Sequence, residues 1–190
     1  MKIGLFFGSF NPIHHGHLII GQYMLDQAKL DEVWYVVSPQ NPLKKGKGII
    51  PAKDRLAMAK LAIKGNPKFK TCDVEFDMPI PSYTAYTLKR LKEEHLKDEF
   101  VLILGTDNLQ HFEKWKDHEE ILMNHEILAY FRDGFPGGEF AKNQKVRVMK
   151  GPMLNISATF VRGLTRMGRS IKYLVPDDVA EYMKNKVDPN

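Results

Sequence analysis

Lys2-Ile3-Gly4-Leu5-Phe6-Phe7-Gly8-Ser9-Phe10-Asn11-Pro12-Ile13-His14-His15-Gly16-His17 contains, in order, an apolar run, a Gly/Pro turn and the head of a helix. Ile3–Phe7 has the length and composition of a buried strand, and Gly8 ends it. From His17 to Leu30, the residues Leu18, Tyr23, Met24, Ala28 and Leu30 recur at helical spacing. A buried strand that turns directly into a helix is the first half of a βα unit. The helix start leaves backbone N–H groups unpaired beside a partial positive charge, which favours phosphate. His14 and His17 add side-chain donors at that point. Gly16, between them, lets an anion approach the main chain. The same two histidines are also compatible with a zinc site if further ligands come from elsewhere.

The alternation continues outward. Val33–Val37 reads as a second buried strand, stopped by Ser38-Pro39. A loop rich in Pro, Gly and Lys spans Ser38 to Pro51. Ala52, Leu56, Ala59 and Ile63 then mark one face of a helix, closed by Gly65-Asn66-Pro67. Cys72, Val74 and Phe76 alternate with Thr71, Asp73 and Glu75, which predicts a half-exposed strand with its acids outward. Thr84, Leu88, Leu91 and His95 suit a helix. Phe100–Leu104 is the most apolar strand and ends at Gly105. Glu119–Asn124 reads as helix, and Ile127–Phe131 and Val146–Met149 as strands. Ser157–Thr165 reads as a helix with Ser157 as N-cap, and Pro176-Asp177 opens a last helix over Asp178–Lys186.

Strands separated by helices imply right-handed βαβ units. The expected fold is α/β: a Rossmann-like, doubly wound parallel sheet over about residues 1–150. A small C-terminal helical subdomain, about 151–190, completes a single domain. Such sheets bind ligands at the carboxyl ends of their strands. Gly8–His17, Ser38–Lys47 and Gly105–Asp107 each follow a predicted strand, so they should converge on one edge.

Composition removes other classes. The chain has 190 residues, 43% hydrophobic and 27% charged, which excludes a disordered chain or a fibre. Its one cysteine, Cys72, rules out an intrachain disulfide framework. No apolar run reaches the roughly 18 residues of a membrane span. Gly8, Asn11, Pro12 and the histidines break any secretory signal core, so a cytoplasmic location is expected. Residues 41–70 hold nine Lys/Arg against Asp54 alone, and residues 141–172 hold eight with no acid. Residues 93–120 hold nine acids against three Lys. That segregation suggests a basic rim around an anionic ligand. An RNA-binding protein could use the same basic stretches. It would need an aromatic reading motif, which the sequence lacks.

The first motif resembles the H-x-G-H signature of the nucleotidyltransferase superfamily, usually G-G-[ST]-F-D-P-x-H-x-G-H. Phe7 stands where a Gly is usual and Asn11 where Asp is common, while His14-x-Gly16-His17 is intact. Asn155-Ile156-Ser157-Ala158-Thr159-Phe160-Val161-Arg162 resembles the second signature, I-S-[ST]-T-x-x-R, with Ala158 as its departure. Gly105-Thr106-Asp107 followed by Trp115, together with Pro81-Ser82-Tyr83-Thr84 and Tyr173-Leu174-Val175-Pro176, is similar to the nicotinate-nucleotide adenylyltransferase family. Pro42-Leu43-Lys44 resembles that family's P-H-[KR] loop, with Leu43 in place of the usual His. The resemblance spans Lys2 to about Lys186.

The resemblance implies adenylyl transfer from ATP to nicotinate mononucleotide, giving nicotinate adenine dinucleotide and pyrophosphate in NAD biosynthesis. It implies His14, His17 and Arg162 as catalytic residues. Gly8, Ser9, Phe10, Gly16, Gly105, Asp107, Ile156, Ser157 and Thr159 would join them around ATP. Ser9, Phe10, Lys44, Tyr83, Thr84, Ala85, Trp115 and Lys116 would hold the mononucleotide, with Trp115 stacking on its pyridine ring. Magnesium would ride on the ATP phosphates with no direct protein ligand. Nucleic acid and membranes are not expected partners, and a homo-oligomer is compatible. Another acceptor, such as nicotinamide mononucleotide or phosphopantetheine, stays open, and so does a zinc hydrolase built on His14 and His17.

Overall fold

A computed structural model of the chain describes residues 1–40 and 49–187. Its centre is β1 (Lys2–Gly8), which feeds α1 (His15–Gln27) and then β2 (Glu32–Val37). The chain continues through α2 (Ala52–Ile63), β3 (Phe69–Cys72), α3 (Thr84–Glu94), β4 (Glu99–Gly105) and the single turn α4 (Thr106–Leu109). It ends with α5 (His118–Asn124), β5 (Ile127–Tyr130), β6 (Val146–Met149), α6 (Ala158–Arg166) and α7 (Asp177–Tyr182), the last running into a π-helical turn at Met183–Val187.

Six strands form one sheet in the order β3-β2-β1-β4-β5-β6, and every pairing is parallel. The strand order reverses between β1 and β4, the switch point where such sheets open a ligand crevice. Side-chain alternation divides the core into two layers. Phe6, Tyr35, Val101 and Ile103 face one side, packed by Ile20 and Met24 of α1, Met58 of α2, Val161 of α6 and Val179 of α7. Ile3, Leu5, Leu102 and Leu104 face the other side, packed by Leu88 of α3, Leu109 of α4 and Ile121 of α5. The expected α/β, Rossmann-like, doubly wound sheet is therefore present. The C-terminal helices share the core of α1 and α2. Tyr182 Oη donates to Asp54 Oδ1 at 2.8 Å, tying the last helix to α2.

Two local expectations change. The predicted strand through Phe76 ends at Cys72, and Val74–Asp77 forms a 3₁₀ turn. Glu75, expected outside, is 1% exposed, because its carboxylate accepts from Thr87 Oγ1 of α3 at 2.7 Å. On α2 the buried face contains Arg55, Met58, Ala59 and Ile63, while Ala52 and Leu56 are only half-buried. A buried guanidinium, invisible to a hydrophobic pattern, rotates the inward face by about one residue.

Candidate active site

The loop after β1 is compact. A Cβ on Gly8 would lie 2.8 Å from the Phe10 ring, so only glycine lets that ring fold back. Phe10 is 2% exposed and packs edge-on against Phe6 and His17, with Tyr35 beside it. Its φ of 44° is a left-handed conformation that costs about 1–2 kcal/mol for a residue with a side chain. Burying the ring offsets that by about 2 kcal/mol. Phe10 therefore offers the site only its main chain. Asn11 Oδ1 accepts from Ile50 N–H at 3.0 Å, which uses the departure from the usual Asp as a neutral acceptor.

His14 begins α1 as its N-cap. The His14 N–H donates to His17 Nδ1 at 3.2 Å, so while that bond is made the His17 ring carries its proton on Nε2. The two rings stack, with centroids 3.7 Å apart and planes 24° from parallel. His14 is 4% exposed and His17 is half-buried, which makes His17 the accessible member. A Cβ on Gly16 would lie 2.9 Å from His14 Nδ1 and 3.7 Å from Ile156 Cβ, so Gly16 is where the two signatures touch.

The second signature meets the first across 151 positions of chain: Arg162 Nη1 donates to Asn11 O at 2.6 Å. Ser157 caps α6 by accepting from Phe160 N–H at 3.1 Å, as its sequence position predicts. Arg162 Nη2 donates to Thr159 Oγ1 at 3.3 Å. The segment Tyr173–Pro176 joins the same place, since His15 N–H donates to Leu174 O at 2.9 Å.

The carboxyl end of β4 adds Gly105 and Asp107. A Cβ on Gly105 would fall 2.2 Å from Asp107 Oδ1, so the carboxylate folds over a bare backbone. Asp107 pairs with Arg132 Nε at 3.3 Å, and Arg132 N–H donates to Thr106 Oγ1 at 2.8 Å. The sequence reading missed Arg132. It directly follows the apolar run of β5, the same strand-end rule that picked out Gly105, so the signal was available.

A second group lies at the start of α3. Thr84 and Ala85 open that helix, and Tyr83 precedes it. Lys116 Nζ sits 5.3 Å from the Tyr83 ring centre and 5.1 Å from that of Tyr86, a residue not singled out from sequence. Trp115 is half-buried and rests on Phe112, with ring centres 5.1 Å apart. Ser82 N–H donates to Gln40 O at 3.0 Å, joining the loop before α3 to the loop after β2. Lys44 and Leu43 lie outside the described residues. Two cavities of about 410 and 490 Å³ border α3, but neither includes a residue of the two signatures.

The signature cluster holds buried nitrogen atoms that make no hydrogen bond. Among the described residues, His14 Nδ1 and Arg162 Nε are buried without a hydrogen bond, and Arg132 Nε has only its ion pair with Asp107. Buried polar groups normally have partners, so such a concentration suits an anionic ligand. Among the described residues no group of three or more His, Cys, Asp or Glu gathers as a metal site. Nor is any described helix long and apolar enough to cross a membrane.

Burial, and then the nearby Arg132 and His15 charges, push the His14 imidazole down to about 4 from its ordinary 6.5. The folded state thus binds fewer protons than the unfolded chain between those values, and stability rises with pH across the window. About 3 kcal/mol present at neutral pH should be lost as pH falls from 6.5 toward 4. Thermal melts against pH should show that decline, and His14→Asn should flatten it. An equally steep acid loss in His14→Asn would contradict the assignment.

The profile of the cytidylyltransferase-like family matches residues 5–164. A protein of Cytophaga hutchinsonii named "Probable nicotinate-nucleotide adenylyltransferase" is 48% identical over 186 residues, covering 98% of this chain and 97% of that protein. A protein of the same name from Flavobacterium johnsoniae is 45% identical, covering 96% of both. The solved nicotinic acid mononucleotide adenylyltransferase of Plasmodium falciparum, complexed with NaAD, superposes with a TM-score of 0.82 at 21% identity. That overlap covers 96% of this chain and 94% of the other, and it shows a shared fold.

Proposed function

The chain belongs to the cytidylyltransferase-like family, among its nicotinate-nucleotide adenylyltransferases, and from that premise we propose that it joins ATP to nicotinate mononucleotide. A phosphate oxygen of the mononucleotide attacks the α-phosphorus of ATP. The bond from that phosphorus to the bridging oxygen of the β-phosphate breaks, and pyrophosphate leaves with the electron pair. The nucleophile is already ionised near pH 7, because its second pKa is about 6. No side-chain nucleophile is needed, so positioning and charge stabilisation carry the rate.

The observation that supports this reading most is the bond from Arg162 to Asn11 O. It joins the signatures where an anion could touch both helix starts. In this reading His17 Nε2–H donates to the reacting α-phosphate, with His14 stacked behind it. Ser157, Thr159 and Arg162 hold the departing β- and γ-phosphates, with Ile156 packed at Gly16. Gly105 and Asp107 hold the ATP ribose. Gly8, Ser9 and Phe10 contribute main-chain groups. Trp115 stacks on the pyridine ring beside Tyr83 and Thr84. The N–H groups of Ala85 and Lys116 donate to the nicotinate carboxylate. An amide there would turn its own donors toward donors, which selects acid over amide. Magnesium enters as part of the ATP substrate, held by phosphates and water.

Turnover on a panel of acceptors, measured as pyrophosphate release from ATP, tests the reading. Nicotinate mononucleotide should turn over at least tenfold faster, per kcat/KM, than nicotinamide mononucleotide or phosphopantetheine. Comparable turnover on either of the others would remove the acceptor assignment.

A further inference from the structure

Among the described residues Arg55 is the largest side chain with less than 2% exposure. It lies on α2, outside both signatures, and the adenylyl-transfer chemistry above does not use it. Its guanidinium reaches four main-chain carbonyls. Nε donates to Ile50 O at 2.9 Å. Nη1 donates to Ser9 O at 2.5 Å and Ser38 O at 2.8 Å, and Nη2 donates to Pro39 O at 2.8 Å. No carboxylate forms an ion pair with it among the described residues. A buried cation without a counter-ion is costly for stability alone, so its placement calls for another reason.

The geometry supplies one. The Ser9–Phe10 peptide is trans, so the Ser9 carbonyl and the Phe10 N–H point in opposite directions within one plane. Arg55 draws the carbonyl inward, which turns the Phe10 N–H outward, onto the side of the β1 loop away from α2. The same side chain fixes the end of β2 through Ser38 and Pro39, so one planar fork sets the spacing of the two strand-end loops. Lysine cannot do this, since it offers a single ammonium rather than a rigid fork. On the side of Asn11 O the loop is held by Arg162. The β1 loop is thus gripped by two guanidiniums, one beneath and one at the site.

We propose that Arg55 is a positioning residue for adenylyl transfer: it holds the Ser9–Phe10 peptide with its N–H aimed at the reacting phosphate, and it places an uncompensated positive charge beneath that phosphate. This rests on the adenylyl-transfer reading above. Its effect should appear in the chemical step, because the charge that builds at the α-phosphate is greatest in the transition state.

The test compares Arg55→Lys with Met58→Ala, a core truncation one turn along α2 that removes none of these hydrogen bonds. Both should lower the melting temperature. Per folded molecule, well below melting, Arg55→Lys should lose tenfold or more in kcat with KM for ATP changed less than threefold. Met58→Ala should keep the kcat of the natural chain. Equal kcat in the two variants would show a merely structural role and overturn the proposal. A second measurement needs no variant. In amide NMR spectra of the natural chain titrated with α,β-methylene-ATP, the Phe10 N–H should be among the most shifted signals. An unmoved Phe10 signal while its neighbours shift would also overturn it. If the natural chain has no turnover on ATP and nicotinate mononucleotide, the adenylyl-transfer reading fails first, a result separate from either of these.

Discussion

His17→Ala should lower kcat roughly 10²-fold or more while leaving the fold intact. The size follows from where the proton sits. The His14 N–H occupies Nδ1, so the ring presents Nε2–H as a neutral donor without waiting for protonation. Stacking on the buried His14 ring holds its plane. A donor aimed at charge that grows in the transition state contributes more to kcat than to KM. His17→Asn should recover part of the loss, because a side-chain amide can donate from a similar distance. The check is kcat and KM for ATP in both variants, with far-UV circular dichroism to confirm folding. Near-normal turnover in His17→Ala would remove the assigned role.

Arg162→Ala should lower kcat/KM for ATP by roughly 10²-fold, and Arg162→Lys by roughly tenfold. A hydrogen bond from a charged donor contributes about 1.5–3 kcal/mol, and at least one such contact to the leaving pyrophosphate would go. The main-chain tie to Asn11 O would go with it. Lysine keeps the charge but cannot grip Asn11 O and Thr159 Oγ1 while also facing phosphate. Titration with inorganic pyrophosphate separates binding from chemistry, since it needs only the leaving-group contacts. Unchanged pyrophosphate affinity in Arg162→Ala would assign the arginine to loop support alone.

The alternation of elements was legible because burial imposes periods on a chain. Ile3–Phe7, Val33–Val37 and Phe100–Leu104 are continuous apolar runs, as strands covered on both faces must be. Ser157 was readable as a cap because a hydroxyl at a helix start has one favourable partner, and Phe160 N–H is that partner. Glu75 was misplaced because alternation cannot see Thr87, twelve residues away, waiting to bond its carboxylate. Arg55 was missed for a related reason. A cation scores as surface unless four carbonyls from three separate segments surround it, and only the folded chain brings those segments together.

Local residue order was enough to set the parallel α/β sheet and to mark the two signature motifs, because period, turn chemistry and helix capping act over a few neighbours. Which strands lie side by side, that Asn11 O meets Arg162, and that Asp107 pairs with Arg132 were settled only by packing. Those contacts join residues far apart in the chain. Their free energy exists only once both layers of the sheet are covered and water has left the space between them.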